Sequence, residues 1–331
     1  MKQIMRSLSA FLSTLSATGL FATAALADNS QFQGADPHAM VIGRELWIFP
    51  TGGPGGAWEA DRFGAFSSAN LKEWRSRGTL IQRDEIGWIG EDGAREHFLW
   101  APAVATRAGK WYLYYSVGPQ NPTPSRIGVA IADRPEGPYR DSGRPLVGKA
   151  EKDPKPFEAI DPMVFSDPRS GRIYLYAGGS AGARLRIWEL APDMVSIRRE
   201  VTIQQPRRFT EGAFMHERNG TYYLSYSHGR WNADDYSVHY STASSPTGPW
   251  HYRGEILGSD ARHQGPGHHS FVQSPSGDWM IAYHRWDRQA GPAPFKGERQ
   301  VAIDRVRYER DGRIARIAMT DGAASPIWPG P

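Results

Sequence analysis

Three carboxylic acids stand in similar short motifs along the chain: Asp36 in Ala-Asp-Pro, Asp161 in Ile-Asp-Pro and Glu211 in Thr-Glu-Gly. A lone Asp-Pro pair is an ordinary turn former. Acids at matching places in a repeat are different, because converging carboxylates repel one another and raise the pKa of at least one of them. A general acid needs a raised pKa at neutral pH, so the three motifs indicate acid–base catalysis.

Glycoside hydrolysis is the reaction that such a set of acids fits. It requires one protonated carboxyl group that delivers a proton to the leaving oxygen and a second that takes a proton from water. A third acid can orient the donor and set its protonation. The corresponding places in the other two copies of the repeat hold an indole and an imidazole, Trp100 in Trp-Ala-Pro and His268 in Gly-His-His-Ser.

A repeated hairpin must position these residues. An apolar strand, a turn ending in glycine and an aromatic strand recur five times, with the turn glycines 49 to 66 residues apart. Glycine supplies the positive φ that a tight hairpin turn needs. A repeat of this length with about four strands is typical of a propeller blade. The sequence therefore predicts an all-β, five-bladed β-propeller in a single domain, with the five motifs starting the innermost strands; a β-sandwich is the alternative.

Composition agrees with an all-β protein held together by its core. Aromatic residues make up 12% of the chain, which also has 36 glycines and 25 prolines, and long helical periodicity is absent after the N-terminal segment. The lack of cysteine excludes disulfides, thiolate zinc sites and a cysteine nucleophile. The net charge of +4 gives no clustered basic footprint, so no nucleic-acid partner is expected.

The N-terminal segment has the pattern of a secretory signal. Lys2 and Arg6 precede a stretch of apolar and small residues that ends in Ala-Leu-Ala. A transmembrane anchor is the alternative, but serine and threonine dilute the stretch and it is too short to span a bilayer. The sequence predicts a signal peptide over 1–27, a propeller domain over 28–331, export to the periplasm or medium, and no membrane partner. It leaves the oligomeric state open.

Taken in this order and spacing, the five motifs resemble glycoside hydrolase family 43 over essentially the whole chain after the signal. The resemblance implies a five-bladed propeller that hydrolyses glycosides with inversion of the anomeric centre and needs no cofactor for the chemistry. It also implies the roles of the acids: Asp36 as general base, Glu211 as general acid, and Asp161 as the residue that orients Glu211 and sets its pKa.

The resemblance suggests three further contacts. Arg299 resembles an arginine that touches the sugar from the last blade; a surface arginine in a strand ladder is the alternative. Trp100 resembles an indole that walls the sugar subsite, and it could equally be a core residue. His268 matches a central histidine that in many members helps to hold a calcium ion through water. Calcium prefers oxygen ligands, so a structural calcium and a hydrogen-bonded core histidine both stay open.

The resemblance implies a hydrolase that releases xylose or L-arabinose from hemicellulose or pectin-type oligosaccharides or polysaccharides. Aromatic loops around Trp58 and Trp231 favour the exo mode, because they could close one end of the funnel. Three alternatives stay open: an exo-galactanase of the same fold, a retaining fructan-acting propeller and a non-catalytic carbohydrate-binding propeller. The fructan-acting enzymes usually carry Arg-Asp-Pro at the middle acid, where this chain has Ile160 before Asp161.

Overall fold

The computed structural model describes residues 31–52, 58–121, 123–148, 157–180, 182–287 and 291–321. The predicted signal peptide over 1–27 lies outside these residues, and the domain boundary at residue 28 stays a prediction. Apart from strands, the described residues contain two short 3₁₀ helices, Arg83–Glu85 and Ile89–Asp92. Within the same ranges, no helix combines the length and hydropathy of a membrane span.

The strands form five four-stranded antiparallel sheets, which confirms the predicted five-bladed β-propeller. Blades one to three follow the chain in order: β2 (Ala35–Ile42), β3 (Glu45–Thr51), β4 (Arg62–Ser68), β5 (Arg75–Gln82); β6 (Leu99–Arg107), β7 (Lys110–Val117), β8 (Arg126–Ala132), β9 (Arg140–Asp141); β10 (Met163–Ser166), β11 (Ile173–Ala177), β12 (Arg186–Leu190), β13 (Ile197–Val201). Blade four contains β14 (Glu211–Arg218), β15 (Thr221–His228), β16 (Ser237–Ala243) and β17 (His251–Leu257). Blade five contains β18 (His263–Gln273), β19 (Trp279–Asp287), β20 (Gln300–Val306) and the N-terminal strand β1 (Phe32–Gln33).

The N-terminal strand closes the ring of blades. Phe32 of β1 pairs with Val301 of β20, and Gln33 pairs with Gln300, so the first strand of the chain is the outermost strand of the last blade. The sequence repeat did not reveal this closure, because the segment is short and carries no hairpin turn of its own. The pairing holds blade one against blade five, and it thereby fixes Asp36 close to Arg299.

The aromatic second strands of the hairpins are the buried strands of the blades. In β3 and β15 nearly every side chain is buried on both faces, whereas the outer strands β5 and β17 are largely exposed. A strand enclosed on both faces by neighbouring blades reads as a continuous apolar run rather than an alternating one. This is why the hairpins stand out in the sequence, and their packing holds the five inner strands around one axis.

A bulge begins four of the five inner strands. At the bulge the inner strand advances three residues while the second strand of the blade advances two. Examples are the steps from Ala35 to His38 and from Glu211 to Phe214. An extra residue bends a strand and re-aims side chains, and such bulges are frequent beside active sites. In every blade one residue at this place has a left-handed backbone: Asp36, Ala101, Asp161, Gly212 and His268, with φ between 39° and 61°.

Candidate active site

The structure brings all six site residues of the sequence analysis into one pocket on the propeller axis. Its lining consists of Asp36, Trp58, Trp100, Gln120, Ile160, Asp161, Ser180, Glu211, Trp231, His268 and Arg299. The pocket holds about 380 Å³ of empty space, part of it open to solvent. It lies where the inner strands β2, β6, β10, β14 and β18 begin, as the motif alignment predicted.

The three acids are not at one equivalent position, which corrects the alignment made from the sequence. Asp36 and Asp161 are the left-handed residues of their blades, whereas Glu211 comes one residue before the left-handed Gly212. Trp100 likewise precedes the left-handed Ala101. Aspartate tolerates the left-handed region better than most residues, while the longer glutamate reaches the pocket from the preceding position.

Asp36 is surrounded by donors and positive charge. Thr51 donates its hydroxyl to Oδ2 at 2.6 Å, and Arg299 Nη1 and His268 Nδ1 lie 3.3 and 3.2 Å from Oδ1. Burial alone would raise the pKa of Asp36, but the charges of His268 and Arg299 hold it well below its ordinary value. Asp36 is therefore an ionised carboxylate.

His284 orients Asp36 as a neutral ring. The backbone N–H of Asp36 donates to His284 Nδ1 at 3.1 Å, so this nitrogen is an acceptor and the ring hydrogen is on Nε2. Burial, with the nearby charge of Arg299, lowers the pKa of His284 to about 4. The 3.2 Å approach of Nδ1 to Asp36 Oδ1 is therefore not an ion pair.

Asp161 has the opposite electrostatic environment. Burial raises its pKa to about 7, and the charges of Glu211 and Asp36 add to this against the opposing effect of His268. Its Oδ2 accepts the backbone N–H of Gly212 at 3.1 Å. The charge of Glu211 therefore favours a proton on Asp161 near neutral pH.

Glu211 is held at both carboxyl oxygens. The Tyr236 hydroxyl donates to Oε1 at 2.8 Å, and Ser180 Oγ lies 3.2 Å from Oε2. The backbone of Gly179 packs directly against the side chain, since a Cβ added there would stand 2.5 Å from Glu211 Cβ. The environment of Glu211 thus differs from that of Asp36: it has hydroxyl donors and a carboxylic acid nearby, but no arginine contact in the described residues.

Hydrogen bonds between neighbouring blades hold the left-handed residues. The backbone N–H of the left-handed residue donates to a side chain near the end of the second strand in the preceding blade. The pairs are Ala101 to Thr51, Asp161 to Ser116, His268 to Ser227 and Asp36 to His284, at 2.7 to 3.1 Å. Blade three has Gly178 at this place, where a Cβ would stand 2.0 Å from the carbonyl oxygen of Arg184. Asp161 itself accepts the N–H of Gly212 instead, which turns its carboxyl group toward Glu211.

The described residues around His268 do not form a set of direct calcium ligands, and the water-mediated calcium that the resemblance suggests stays a prediction. His268 turns Nδ1 toward Asp36 and toward Asp161 Oδ2, which is 3.5 Å away. Burial opposes the charged ring, but the charges of Asp161 and Asp36 raise the pKa of His268. In the described ranges, no group of three or more His, Asp or Glu side chains is arranged to hold a metal ion. No step below involves a metal.

Three tryptophans and an arginine form one side of the pocket. Trp58 stacks on Trp231 at 5.2 Å and 12°, its centroid lies 4.6 Å from that of Trp100, and Trp100 Nε1 donates to the Trp58 carbonyl oxygen at 2.7 Å. Arg299 lies 5.2 Å from the Trp231 ring. Trp100 and Arg299 are both buried and both line the pocket. Trp100 is therefore not only a core residue, and Arg299 is not a surface arginine.

Sequence reasoning missed the second ring of residues around the acids. Thr51, Ser227 and His284 occupy matching places at the ends of second strands, so aligning the hairpins at that position would have revealed a run of small polar residues. Tyr236 precedes β16 and carries no motif, and only the folded structure places it against Glu211. His269, expected to point away from the axis, bonds Ser225 Oγ at 2.7 Å and does not line the pocket.

Comparison with known proteins agrees with this geometry. The family model described as Glycosyl hydrolases family 43 matches residues 30–314. The chain is 34% identical over 315 residues to the β-D-galactofuranosidase xynD of Aspergillus niger, covering 89% of this chain and 86% of that protein. It is 29% identical to xylosidase/arabinosidase 43A of Humicola insolens, covering 85% and 95% respectively.

A solved structure has the same fold. It is CoXyl43, a β-xylosidase/α-arabinofuranosidase from a compost microbial metagenome, in complex with xylotriose and in a calcium-free form. The TM-score is 0.69 at 27% identity, and the match covers 88% of this chain and 97% of that one.

Proposed function

The chain belongs to glycosyl hydrolase family 43 and is thus a glycosidase, and we propose that it releases a single pentosyl unit, xylose or L-arabinose, with inversion at the anomeric carbon. The substrate is the end or a side branch of a hemicellulose or pectin-type oligosaccharide. The chemistry needs no cofactor. Similarity to a xylosidase/arabinosidase over most of both chains supports the pentose.

In the proposed mechanism Asp36 is the general base and Glu211 the general acid. Asp36 takes a proton from a water molecule as the water oxygen bonds to the anomeric carbon. Glu211 gives its proton to the glycosidic oxygen as the carbon–oxygen bond breaks, and the sugar leaves with the opposite configuration. Asp161 orients the acid and keeps a proton on the Asp161–Glu211 pair.

The observation that carries this proposal is the contrast between the two sides of the pocket. Asp36 is ionised beside Arg299 and His268, whereas burial raises the pKa of Asp161, beside Glu211, to about 7. Carboxyl groups whose pKa values are pushed apart are typical of an acid–base site, and Glu211, the proposed proton donor, stands on the side of the pocket with the raised pKa of Asp161. A carbohydrate-binding propeller without activity has no use for such a division.

The wall of stacked rings supports an exo mode. The Trp58–Trp231 stack joins a loop of blade one to a loop of blade four beside the acids. A chain that continued through the pocket on that side would have to displace the stack. We therefore infer that the terminal sugar enters with its far end against these rings.

Two measurements test the proposal. Hydrolysis of an aryl pentoside followed by proton NMR is expected to give the inverted anomer first. First appearance of the substrate's own anomeric configuration would contradict inversion. A panel of aryl β-xyloside, α-L-arabinofuranoside, β-galactoside and β-D-galactofuranoside is expected to show the highest kcat/KM with a pentoside.

A galactose-directed exo-enzyme is the second candidate. The relative named as a β-D-galactofuranosidase is 34% identical, above the xylosidase/arabinosidase at 29%. Highest activity on a galactosyl substrate in the same panel would replace the pentose proposal and leave the roles of the acids intact. Export also stays a proposal, tested by the N-terminal sequence of protein recovered outside the cytoplasm, which is expected to begin near Asp28.

A further inference from the structure

Tyr236 lies in a rigid buried position beside Glu211. It is fully buried, and its ring stacks on that of His284 at a centroid distance of 5.8 Å and an angle of 5°. Gly267 packs against its edge so closely that an added Cβ would stand 2.0 Å from the ring. Packing on both sides therefore fixes where the phenol oxygen points, and that oxygen lies 2.8 Å from Glu211 Oε1.

A chain of hydrogen bonds with one direction leads to this contact. The backbone N–H of His268 donates to Ser227 Oγ at 2.8 Å, and a backbone N–H can only donate. Ser227 lowers the pKa of the Tyr236 phenol against the effect of burial, which is the effect of a hydroxyl hydrogen directed toward the phenol oxygen. The phenol hydrogen is donated to Glu211 Oε1.

Tyr236 remains a donor throughout the working pH range. Burial raises its pKa well above 10, and the charge of Glu211 adds to the effect. Asp161 and His268, the other charged groups that act on Glu211, are not hydrogen-bonded to it in the described residues. Tyr236 and Ser180 thus share the two oxygens: the buried phenol donates to Oε1, and the hydroxyl of Ser180, which lines the pocket, lies 3.2 Å from Oε2.

We propose that Tyr236 is a positioning residue that fixes the transferable proton of Glu211 on Oε2. The rigid phenol hydrogen occupies Oε1, whereas the Ser180 hydroxyl at Oε2 can rotate between donating and accepting, so the acid proton lies on Oε2. When that proton passes to the glycosidic oxygen, the phenol hydrogen bond stabilises the new carboxylate, because hydrogen bonds to charged groups are the stronger ones. The inference rests on the proposed role of Glu211 as general acid.

Leaving groups of different basicity separate this role from a structural one. A dinitrophenolate leaves without protonation, whereas an alcohol or a weakly acidic phenol needs the proton. Tyr236→Phe is expected to lower kcat/KM about 10- to 100-fold for the glycoside with the poor leaving group, the range for a lost hydrogen bond to a charged group. The loss with the 2,4-dinitrophenyl glycoside should be much smaller. The ratio of the two rates comes from one preparation, so partial unfolding cancels.

Matched variants complete the test. Tyr226→Phe removes another buried phenol of blade four, one that donates to the Arg207 carbonyl oxygen at 2.6 Å, and is expected to leave the ratio at its wild-type value. Equal losses on both substrates in Tyr236→Phe, or the same altered ratio in Tyr226→Phe, would overturn the inference.

Glu211→Gln separates this inference from the proposed role of Glu211 as general acid. A leaving-group-dependent loss in Glu211→Gln without one in Tyr236→Phe overturns only this inference, and no such loss in Glu211→Gln overturns the acid assignment itself.

Discussion

The hydroxyl of Thr51 lies 2.6 Å from Oδ2 of Asp36 and donates its hydrogen to that carboxylate. The direction is certain because Thr51 Oγ1 accepts the backbone N–H of Ala101 at 2.7 Å. The backbone of blade two thus orients the Thr51 hydroxyl, which in turn orients Asp36, the proposed base. Glu211 is oriented in a comparable way, through Ser227 and Tyr236, from a backbone N–H of blade five.

Replacing Thr51 with valine keeps the shape of the side chain and removes the hydroxyl. The pKa of Asp36 is expected to rise, because a hydrogen bond to its charged form is lost. The acidic limb of the kcat/KM profile should therefore move to higher pH, and the plateau should fall about tenfold. Thr51→Ser keeps the donor and should restore the wild-type limb. An unmoved limb in Thr51→Val would show that the hydroxyl does not act on the base.

Removing the carboxylate of either proposed catalytic residue should strongly reduce activity without unfolding the protein. Asp36→Asn and Glu211→Gln are each expected to lower the rate by about 10²–10⁴, the scale of a positioned acid or base. Asp133→Asn serves as control, since Asp133 is exposed and pairs with Lys110 on the outside of blade two. Circular dichroism should match the wild type in all three, and the melting temperature should fall only in Asp36→Asn, which leaves Arg299 and His268 without their carboxylate. Near-wild-type rates in either acid variant would contradict the assignment.

Asp161 should make the folded protein less stable as the pH rises. Its folded pKa is about 7 against an ordinary value of 3.8, so between these values the folded chain keeps a proton that the unfolded chain has lost. Stability from this group is present at low pH and lost as pH rises toward 7. Asp161→Asn should therefore gain on the order of 2 kcal/mol over the wild type between pH 5 and 8. Urea unfolding of both proteins at pH 5 and at pH 8 measures this gain. The same difference in unfolding free energy at the two pH values would contradict the prediction.

Gly179 leaves room for the proposed acid. Gly179→Ala would put a methyl group 2.5 Å from Glu211 Cβ and 3.0 Å from Ile160 Cδ1, so Glu211 must shift. Because a displacement of about 1 Å can cost 10²-fold in rate, kcat should fall strongly while the protein stays folded. Gly87→Ala is the control, since a Cβ at Gly87 meets no atom within 4 Å. Comparable kcat values for the two variants would count against this reading.

Trp58 is expected to contribute to substrate binding rather than to chemistry. Its side chain is 43% exposed at the pocket, stacked on Trp231. Trp58→Ala should raise KM for an oligosaccharide about 5- to 10-fold, the scale of one aromatic stacking contact, with kcat nearly unchanged. Steady-state kinetics on an oligosaccharide and an aryl glycoside provide the comparison. A fall in kcat at constant KM would place Trp58 in the chemical step.

The fold was within reach of the sequence because its main signal is local. Each hairpin carries its own glycine turn and its own aromatic strand, and the five copies repeat at a blade's length, so five blades follow without any long-range information. The motifs before these hairpins also placed Asp36, Asp161 and Glu211 at the axis. Their exact register was wrong by one residue for Glu211, because the bulge that shifts it depends on pairing with the neighbouring strand.

What makes the three carboxyl groups different was decided only by tertiary structure. The residues that set their states come from other blades or from distant turns: Arg299 and His268 for Asp36, and Tyr236 for Glu211. Closure by β1 brings the first blade against the last, and no local pattern encodes such a contact. A carboxyl group's protonation depends on the charges and donors within a few ångströms of it, so two aspartates in similar motifs differ: the pKa of Asp36 is lowered and that of Asp161 is raised.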